Sequence, residues 1–376
     1  MLERRSIMSL FIGLTLCVSV WHIAIQQNQQ FIESTPAAYA PATSAQALIT
    51  NKNQSLFNES HVTTNSAAAA SSSSLTTTTT TFTAASMLDQ LSKTDYNQLI
   101  DINDFEFEIN QKICSDKSTS DPPLLLILVH SAPLNYRKRI TIRDTWGNGQ
   151  KDSRSVLIFL IGSVNDTQLQ STIEIENSSY GDMVQGNVYD AYRNLTYKHV
   201  MGLKWFVYHC PDAQYILKTD DDVFVNTPML FNYLEAMNNN PGLLWCKEVK
   251  GERVKRTYRS KWRVSFKEYN AKYYKNHCPG FSILYSPDVA FQLYNEAQQM
   301  PYFWIDDVHL TGTVATESNI TITSFGNFYA DDHVLEDLLK TNMKLSNQFI
   351  FAYQNLKEKD VRKLWKDVTV GKRIKN

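Results

Sequence analysis

The sequence lacks several patterns that mark common classes of protein. Its 37 basic and 38 acidic residues leave a net charge of −1, which gives no indication of a nucleic-acid partner. It contains no C-x-x-C pair, and its eight histidines are scattered, so a zinc site is not indicated. No internal repeat of structural period occurs either. Function therefore has to be sought in local clusters of side chains.

The N-terminal segment is apolar and free of charge. Residues 6–25 contain no Asp, Glu, Lys or Arg, and about twenty such residues suffice to span a bilayer. Arg4 and Arg5 precede them, which predicts a cytosolic N-terminus and a lumenal C-terminus. Residues 1–5 are therefore predicted to be a cytosolic tail and residues 6–25 a transmembrane signal-anchor helix, with a cleaved signal peptide as the alternative.

A long segment of low complexity follows the predicted anchor. Residues 26–120 are rich in Gln, Ala, Ser and Thr, a composition that buries too little apolar area to fold alone. We predict a disordered stem there, in which residues 88–113 form a helical approach to a lumenal domain at 121–376. N-x-S/T sequons, which fit a lumenal glycoprotein, begin at Asn53, Asn58, Asn165, Asn177, Asn194 and Asn319.

Four of the five cysteines follow the predicted anchor, which itself contains Cys17. They are Cys114, Cys210, Cys246 and Cys278. Four cysteines allow three disulfide pairings, and among these we favour Cys114–Cys210 with Cys246–Cys278. Buried free thiols are the alternative.

Apolar runs alternate with amphipathic segments from residue 124 onward. The predicted strands are 124–130, 156–161 and 214–218, and the predicted helices are 135–146, 166–177 and 192–209. This alternation of strand and helix is the α/β pattern. Ligands of such sheets bind outside the carboxyl ends of the strands.

Three consecutive carboxylates, Asp220–Asp222, follow the third predicted strand. A second apolar run, Val223–Val225, comes directly after them and is also predicted to be a strand. Adjacent carboxylates repel one another, and a hard divalent cation such as Mn²⁺ or Mg²⁺ removes that cost. An EF-hand is excluded, because the sixth and twelfth positions counted from Asp220 are Val225 and Phe231. The cluster therefore predicts a metal site for a substrate diphosphate, with an acidic surface turn as the alternative.

Five motifs occur in register along the chain. They are R-x-x-I-R-x-T-W-G at 139–147, F-L-x-G at 159–162, Y-x-D at 180–182 with D-x-Y-x-N-L-T-x-K at 190–198, K-T-D-D-D-V-F-V-N at 218–226 and D-D-V-x-x-T-G at 306–312. Together they resemble the motifs of the β-1,3-galactosyltransferase family, which is glycosyltransferase family 31. One departure is at Cys278–Ile283, where Ser282 and Ile283 stand in place of the second Gly and the Tyr of the family's C-x-G-x-G-Y segment.

The resemblance implies a GT-A-like fold, that is, a mixed, mostly parallel sheet flanked by helices. It also implies a single-pass type II protein of the Golgi membrane. The expected reaction is inverting transfer of a hexose, most commonly galactose, from a UDP-sugar to a glycan acceptor on protein or lipid, with a β-1,3 linkage. The expected cofactor is Mn²⁺, with Mg²⁺ possible.

Two other functions stay open beside this one. The chain is alternatively a β-1,3-N-acetylglucosaminyltransferase, or a catalytically silent lumenal chaperone or lectin of the same fold. A silent relative is expected to have lost the Asp cluster, which this chain keeps. A phosphohydrolase with a D-x-D-x-T nucleophile motif is set aside, because the fifth position from Asp220 is Phe224.

We assign the catalytic and metal-binding roles to the two acidic motifs, Asp220–Asp222 and Asp306–Asp307. An inverting transfer needs one general base, and the motif position assigns it to Asp307, with Asp306 as the second choice. The alternative is that one of them caps a helix beginning near Val308. Asp222 is the predicted direct metal ligand. Asp220 is predicted to contact ribose or to hold the metal through water, with Asp221 nearby.

The remaining motif residues are predicted to bind the nucleotide. Arg143 suits phosphate or uracil because of its planar fork, with a salt bridge to Asp144 or Asp152 as the alternative. The other predicted contacts are Arg139, one turn before Arg143, and Asp182, Asn194 and Lys198. Trp146 is predicted to be a core residue.

Overall fold

The computed structural model describes residues 83–115, 122–147, 154–237, 240–326, 328–340, 349–352 and 355–370. The predicted cytosolic tail and signal-anchor helix, and most of the predicted stem, lie outside these residues and stay predictions. Within the described residues, no helix combines the length and the apolar character needed to cross a bilayer.

An eight-stranded mixed sheet forms the centre of the described residues. Its strands are β1 (Phe107–Ile109), β2 (Leu125–His130), β3 (Ser155–Ser163), β4 (Met183–Tyr189), β5 (Tyr215–Asp220), β6 (Leu244–Cys246), β7 (Ser282–Tyr285) and β8 (Ile322–Ser324), in the order β1-β4-β3-β2-β5-β7-β6-β8. Four of its pairings are parallel: β4 with β3, β3 with β2, β2 with β5, and β6 with β8. The other three are antiparallel. The predicted mixed, mostly parallel sheet is confirmed.

Helices connect and flank these strands. They are α1 (Ala84–Leu88), α2 (Tyr136–Asp144), α3 (Thr167–Tyr180), α4 (Leu195–His209), α5 (Thr227–Met237), α6 (Pro287–Ala297), α7 (π-helical Val308–Val314 continued by Ala315–Glu317), α8 (Asp332–Lys340) and α9 (Glu358–Val370). Each of the three predicted helices is found within a few residues of its predicted bounds. The Asp166 carboxylate accepts hydrogen bonds from the backbone of Gln168 and Leu169, which explains why α3 begins there.

The core lies on both faces of the parallel strands. All six residues of β2 are buried, and so are eight of the nine residues of β3, as expected for parallel strands covered by helices on both sides. Trp146 is fully buried, as predicted. The core therefore holds the carboxyl ends of β2, β3 and β5 in fixed register.

The run Val223–Val225 is not a strand of the sheet, so that prediction is wrong. These residues are buried, but their partners come from the C-terminal segment 349–356. Asn226 N–H donates to Ile350 O at 2.7 Å, Ala352 N–H to Phe224 O at 3.0 Å, and Leu356 N–H to Asp222 O at 3.0 Å. The chain turns out of the sheet at Asp221–Asp222, and the C-terminal segment pairs with it there. A short pair of strands, β9 (Tyr329–Ala330) and β10 (Phe351–Ala352), lies in the same region.

The described residues before 115 differ from the predicted stem. Residues 88–113 are not the predicted helix; apart from the end of α1 they contain a 3₁₀ turn at Asp95–Asn97, strand β1 and connecting loops. Leu99 and Phe105 are fully buried in the main core, and β1 pairs with β4. The folded unit therefore begins well before the predicted boundary at residue 120, because this segment carries apolar side chains that the sheet covers.

Both favoured disulfides are present. Cys114–Cys210 ties the end of the N-terminal segment to the end of α4, and Cys246–Cys278 closes the long connection between β6 and β7. That connection has a small core of its own. It is formed by Val254, Val264, Tyr274, Phe303, Trp304 and Val308.

Candidate active site

The carboxyl ends of adjacent strands bring most of the predicted site residues together. His130, the last residue of β2, pairs in register with Asp220 at the end of β5, and Asp221 N–H donates to His130 O at 3.1 Å. On the other side of β2, Lys198 Nζ donates to Ser131 O at 2.9 Å. The Asp cluster and Lys198 thus flank the end of one strand, which is where the α/β pattern predicts a ligand.

The three carboxylates of the Asp cluster have different surroundings. Asp221 is buried and accepts hydrogen bonds from Ser131 at 2.9 Å, Asn135 at 2.8 Å and Lys138 at 3.0 Å. Its acceptor capacity is largely used, so it holds the loop in place. Asp222 is half-buried, with Lys138 Nζ at 3.7 Å. Asp222 therefore keeps oxygen atoms that a ligand can use.

Asp220 is the last residue of β5 and contacts Lys218 of the same strand. Its Oδ1 accepts from Lys218 Nζ at 2.9 Å, and about a third of its side chain is exposed. Burial raises the pKa of Asp220 to about 6, an effect that Lys218 opposes and the Asp306 and Asp222 charges add to. Burial also raises the pKa of Asp222. Both carboxylates are therefore disfavoured as bare anions, as expected of groups that need a cation beside them.

A divalent metal fits these residues. Asp220 and Asp222 supply carboxylate oxygens, the ligands that Mn²⁺ and Mg²⁺ prefer. Within the part of the chain that the structure describes, no group of three or more acidic, His or Cys side chains is arranged to hold a metal alone. Hard cations of this kind are commonly held by one or two carboxylates together with substrate phosphates and water. The donor set matches a metal that arrives with a diphosphate.

Asp306 is a buried carboxylate with two cationic or polar partners. Its Oδ2 lies 3.0 Å from His199 Nδ1 and 3.6 Å from Lys218 Nζ. Because a carboxylate only accepts, Nδ1 of His199 carries the hydrogen, and Nε2 accepts from Tyr285 Oη at 2.9 Å. Against the effect of burial, Lys218 and His199 hold the pKa of Asp306 well below its usual range. Asp306 is therefore fixed and charged.

Both carboxylate oxygens of Asp307 accept hydrogen bonds from backbone N–H groups. Its Oδ1 accepts from Val308 N–H at 2.8 Å, so it caps α7, and its Oδ2 accepts from Gly280 N–H at 3.1 Å. Burial and the neighbouring Asp306 charge raise the pKa of Asp307 to about 6. The predicted helix cap is therefore present, and because each oxygen keeps a free lone pair beyond it, the role of Asp307 as general base stays a prediction.

Lys218 joins the two acidic motifs. Its buried ammonium contacts Asp220, Asp306 and the carbonyl oxygen of Gly280. Burial alone would lower the pKa of Lys218, but the Asp220 and Asp306 charges raise it. A Cβ added at Gly280 would lie 3.2 Å from Lys218 Nζ, so a glycine keeps this position open. Lys218 is not among the residues predicted from the sequence, although a lysine inside an apolar strand, two residues before the Asp cluster, is a usable signal.

Arg139, Arg143 and Asp182, which are predicted to contact the nucleotide, form ion pairs within the protein. Arg139 is almost fully buried and donates to both oxygens of Glu176. Arg143 donates to Glu176 at 2.8 Å and to both oxygens of Asp182 at 2.7 and 2.8 Å. Arg139, Arg143 and Asp182 thus form a buried ion-pair network with Glu176 between α2, α3 and the start of β4, and their contact with a nucleotide stays a prediction. The alternative salt bridge of Arg143 to Asp144 is wrong, since Asp144 pairs with Arg362 at 2.8 Å, and Asp152 lies outside the described residues.

Asn194 and Lys198 lie beside a small cavity of about 10 Å³ at the end of β3. Lys198 Nζ donates to Asp190 Oδ2 at 2.6 Å, and Asn194 donates to Tyr189 O at 2.9 Å. The same Asp190 oxygen accepts from Gly162 N–H at 2.8 Å. A Cβ at Gly162 would lie 2.5 Å from Val188 O, so only glycine allows this close approach. These residues stay candidates for the nucleotide pocket.

Comparison with known proteins fits this site. The family model for galactosyltransferases matches residues 137–325, which is half of the chain. The chain belongs to the galactosyltransferase family. The matched range contains every predicted site residue, from Arg139 to Asp307.

Two relatives illustrate the breadth of the family. Human β-1,3-galactosyltransferase 5 is 34% identical over 193 residues, which cover 50% of this chain and 61% of that protein. A lactosylceramide 1,3-N-acetyl-β-D-glucosaminyltransferase from Xenopus tropicalis is 29% identical over 276 residues, which cover 70% of each chain. The chain thus spans less than two thirds of the length of the human relative, and the chimpanzee protein of the same name is covered to 64%.

Among solved structures, the galactosyltransferase LgtC in complex with donor and acceptor sugar analogues is similar at a TM-score of 0.32 and 9% identity. That match covers 61% of this chain and 87% of the other.

Proposed function

We propose that the protein is an inverting glycosyltransferase that moves a hexose from a UDP-sugar to a hydroxyl of a glycan acceptor, forming a β-1,3 linkage. One observation carries the proposal: Lys218 brings the Asp220–Asp222 cluster and the Asp306–Asp307 pair to the same edge of the sheet. The Asp220–Asp222 cluster is suited to a metal-bound diphosphate, and the Asp306–Asp307 pair is suited to proton transfer. The proposed site of the leaving diphosphate and the proposed general base are therefore adjacent.

The nucleotide is proposed to lie across the end of β2. Its base and ribose approach Asn194 and Lys198, and its diphosphate approaches Asp220 and Asp222. Support comes from the hydrogen bonds that link Lys198 and Asp221 to consecutive residues at this strand end, Ser131 and His130. Asp221 positions the loop rather than the ligand.

Asp222 and Asp220 are proposed to hold Mn²⁺, or Mg²⁺ in its place. When bound, the metal supplies positive charge against the negative charge that develops on the leaving diphosphate. Lys218 lies 2.9 Å from Asp220, so it fixes the orientation of this ligand and adds to the positive field.

Asp307 is the proposed general base. The acceptor hydroxyl attacks the anomeric carbon from the side opposite to UDP, its proton passes to a carboxylate oxygen of Asp307, and the bond between the anomeric carbon and the phosphate oxygen breaks. The raised pKa of Asp307 suits a base that works near neutral pH. Asp306, held by His199 and Lys218, keeps its charge and position beside it.

Galactose is the proposed donor sugar because a human relative is named a β-1,3-galactosyltransferase, and N-acetylglucosamine is the second candidate because a relative from Xenopus tropicalis is named an N-acetyl-β-D-glucosaminyltransferase. The proposed location is the Golgi membrane, with the catalytic unit in the lumen, attached through the charge-free segment 6–25. The silent chaperone or lectin stays the competing function.

The test is the Asp222→Ala variant assayed for UDP-sugar transfer and for UDP-sugar hydrolysis. We expect transfer to fall by about 10²–10³-fold, because the leaving diphosphate loses part of its counter-charge, while the melting temperature stays near that of the wild type. EDTA should silence the wild type, and added Mn²⁺ should restore it. Full activity in Asp222→Ala, or no metal-dependent turnover of any UDP-sugar by the wild type, would contradict the proposal.

A further inference from the structure

Residues 247–277, which connect β6 to β7 and are called here the basic excursion, carry a strong local charge. They contain eleven Lys or Arg and three Glu, a net charge of +8, in a chain whose total is −1. Nine of the basic side chains are exposed: Lys247, Lys250, Arg253, Lys255, Arg259, Lys261, Lys267, Lys272 and Lys275. Among the residues that the structure describes, Lys250 is the only one of these in an ion pair, with Glu248. Most of this charge is available to an external anion.

The basic excursion is attached firmly to the acidic pair of the site. Val254, Val264 and Tyr274 pack in one small core with Phe303, Trp304 and Val308. These last three residues flank Asp306 and Asp307 directly in sequence. The Cys246–Cys278 disulfide closes the base of the excursion. Its position relative to the proposed base is therefore fixed by packing and by a covalent bond.

An aromatic pair lies where the excursion meets the site. Trp262 Nε1 donates to Tyr192 Oη at 2.5 Å, and the two side chains are 45% and 48% exposed. The Tyr192 ring lies 5.9 Å from the ring of buried Trp304, two residues before Asp306. Exposed aromatic rings with an apolar face and a polar edge are suited to partly polar ligands such as sugars.

A lysine accompanies this pair. Lys261 Nζ lies 4.4 Å from the centre of the Trp262 ring and 5.9 Å from that of Tyr192. The ammonium is exposed and, among the described residues, has no carboxylate partner within ion-pair distance. A ligand that touches both rings thus meets a positive charge at the same time.

We propose that Tyr192, Trp262 and Lys261 form an acceptor subsite for an acidic saccharide. The saccharide ring rests against the aromatic pair, and its acid group, a carboxylate or a sulfate ester, binds Lys261. The inference rests on the proposed function, since it names the class of acceptor for that same site. The other exposed cations of the basic excursion raise the local concentration of an anionic acceptor.

A glycan explains more of the geometry than a membrane surface does. Lipid headgroups would account for the positive charge, but not for the aromatic pair being hydrogen-bonded together beside Trp304 and the acidic pair. An acceptor has to reach Asp307 with a hydroxyl, and the subsite is attached to the same small core as that residue.

The experiment compares three acceptor saccharides that share one acceptor sugar: a neutral form, a form with a carboxylate and a form with a sulfate. Transfer by the full-length protein is measured as kcat/KM. We expect the wild type to favour at least one acidic form over the neutral form by about tenfold, equal to about 1.4 kcal/mol. The better of the two acidic forms identifies the source of the charge.

Variants assign the preference to the subsite. Lys261→Gln should lose the preference while kcat/KM for the neutral acceptor changes less than about twofold, and Lys261→Arg should keep it. Lys267→Gln removes the same charge from the same excursion and should keep the preference.

The outcomes separate this inference from the proposed function. Transfer without any preference for acidic acceptors, or a preference that Lys261→Gln leaves intact, overturns the inference alone. Binding to vesicles of anionic lipid that Lys261→Gln weakens, without a preference among acceptors, also overturns it in favour of a membrane contact. Absence of transfer to all three acceptors, together with equal UDP-sugar hydrolysis by wild type and Asp222→Ala, overturns both.

Discussion

The proposed donor side of the site, at the ends of β2, β4 and β5, and the proposed acceptor side, along the basic excursion, hold their charges in opposite ways. On the donor side, Arg139, Arg143, Glu176 and Asp182 are buried and bonded to one another. On the acceptor side, nine cations are exposed. The charge of this network thus supports the fold, and the exposed charge of the basic excursion is open to binding.

The charged residues of the sequence motifs are of two kinds, and this difference in burial distinguishes them. A charged residue in a family motif is either part of the fixed frame or part of the reactive surface, and burial decides which. Arg139 is 1% exposed and fully engaged, whereas Lys261 is exposed at the edge of the site. Charge removal within the buried network should therefore change stability, and charge removal on the acceptor side should change binding.

The largest effect is expected from Glu176→Gln. This change leaves Arg139 and Arg143 buried without their shared counter-charge, and breaking a buried ion pair typically costs about 3–5 kcal/mol. Denaturant unfolding of the folded unit measures it. Lys267→Gln on the basic excursion is the control and should stay within about 0.5 kcal/mol of the wild type, as expected of an exposed side chain. Equal costs in the two variants would remove the distinction between the two sides.

A smaller effect is expected when the two acidic neighbours are exchanged for amides one at a time. Asp307→Asn should lower kcat by about 10²-fold with nearly unchanged affinity for UDP, because the base is lost and the nucleotide contacts remain. It also loses one of the two backbone hydrogen bonds, from Val308 or Gly280, which the melting temperature should show. Asp306→Asn should mainly lower the melting temperature, since it removes one of the two carboxylates beside buried Lys218 and the charge that His199 faces. If Asp306→Asn were the inactive variant and remained as stable as the wild type, the base would be Asp306.

The smallest effect concerns pH. The pKa of Asp307 is raised to about 6 by burial and by Asp306, so its basic form is present above that pH and is lost as the pH falls. We expect kcat/KM to fall by about tenfold per pH unit below about 6. In Asp307→Asn this limb should be missing. A wild-type profile that is flat from pH 7 down to 5 would argue against Asp307 as the base.

The sequence was sufficient where information is local. Strands β2, β3 and β5 are continuous apolar runs, and the Asp cluster at the end of β5 marks the site without help from other segments. β4 was not predicted as a strand, because its sequence, Met-Val-Gln-Gly-Asn-Val-Tyr, mixes polar and apolar residues. Only its pairing with β3 and β1 explains its position.

Long-range partners were the part that could not be predicted. Arg139 and Glu176 are 37 positions apart and belong to different helices, so nothing in either segment indicates the ion pair. His199 finds Asp306 across 107 positions in the same way. The small core under the basic excursion is spread over residues 254–308 without periodicity. Such contacts depend on the arrangement of the strands and helices in space. That arrangement cannot be derived from the local pattern of a single sequence.

The hydrogen bonds between the C-terminal segment and the Asp222 loop have a consequence for biosynthesis. A chain leaves the ribosome from its N-terminus, and domains generally fold as units. The backbone of Asp222, Phe224 and Asn226 finds its partners only when Ile350, Ala352 and Leu356 have emerged. A premature stop codon after the fifth motif but before Ile350 would therefore leave all five motifs intact and yield a product in which the backbone around Asp222 lacks these partners. Truncations that remove Ile350, Ala352 and Leu356 should consequently be judged as severe even though they spare every motif.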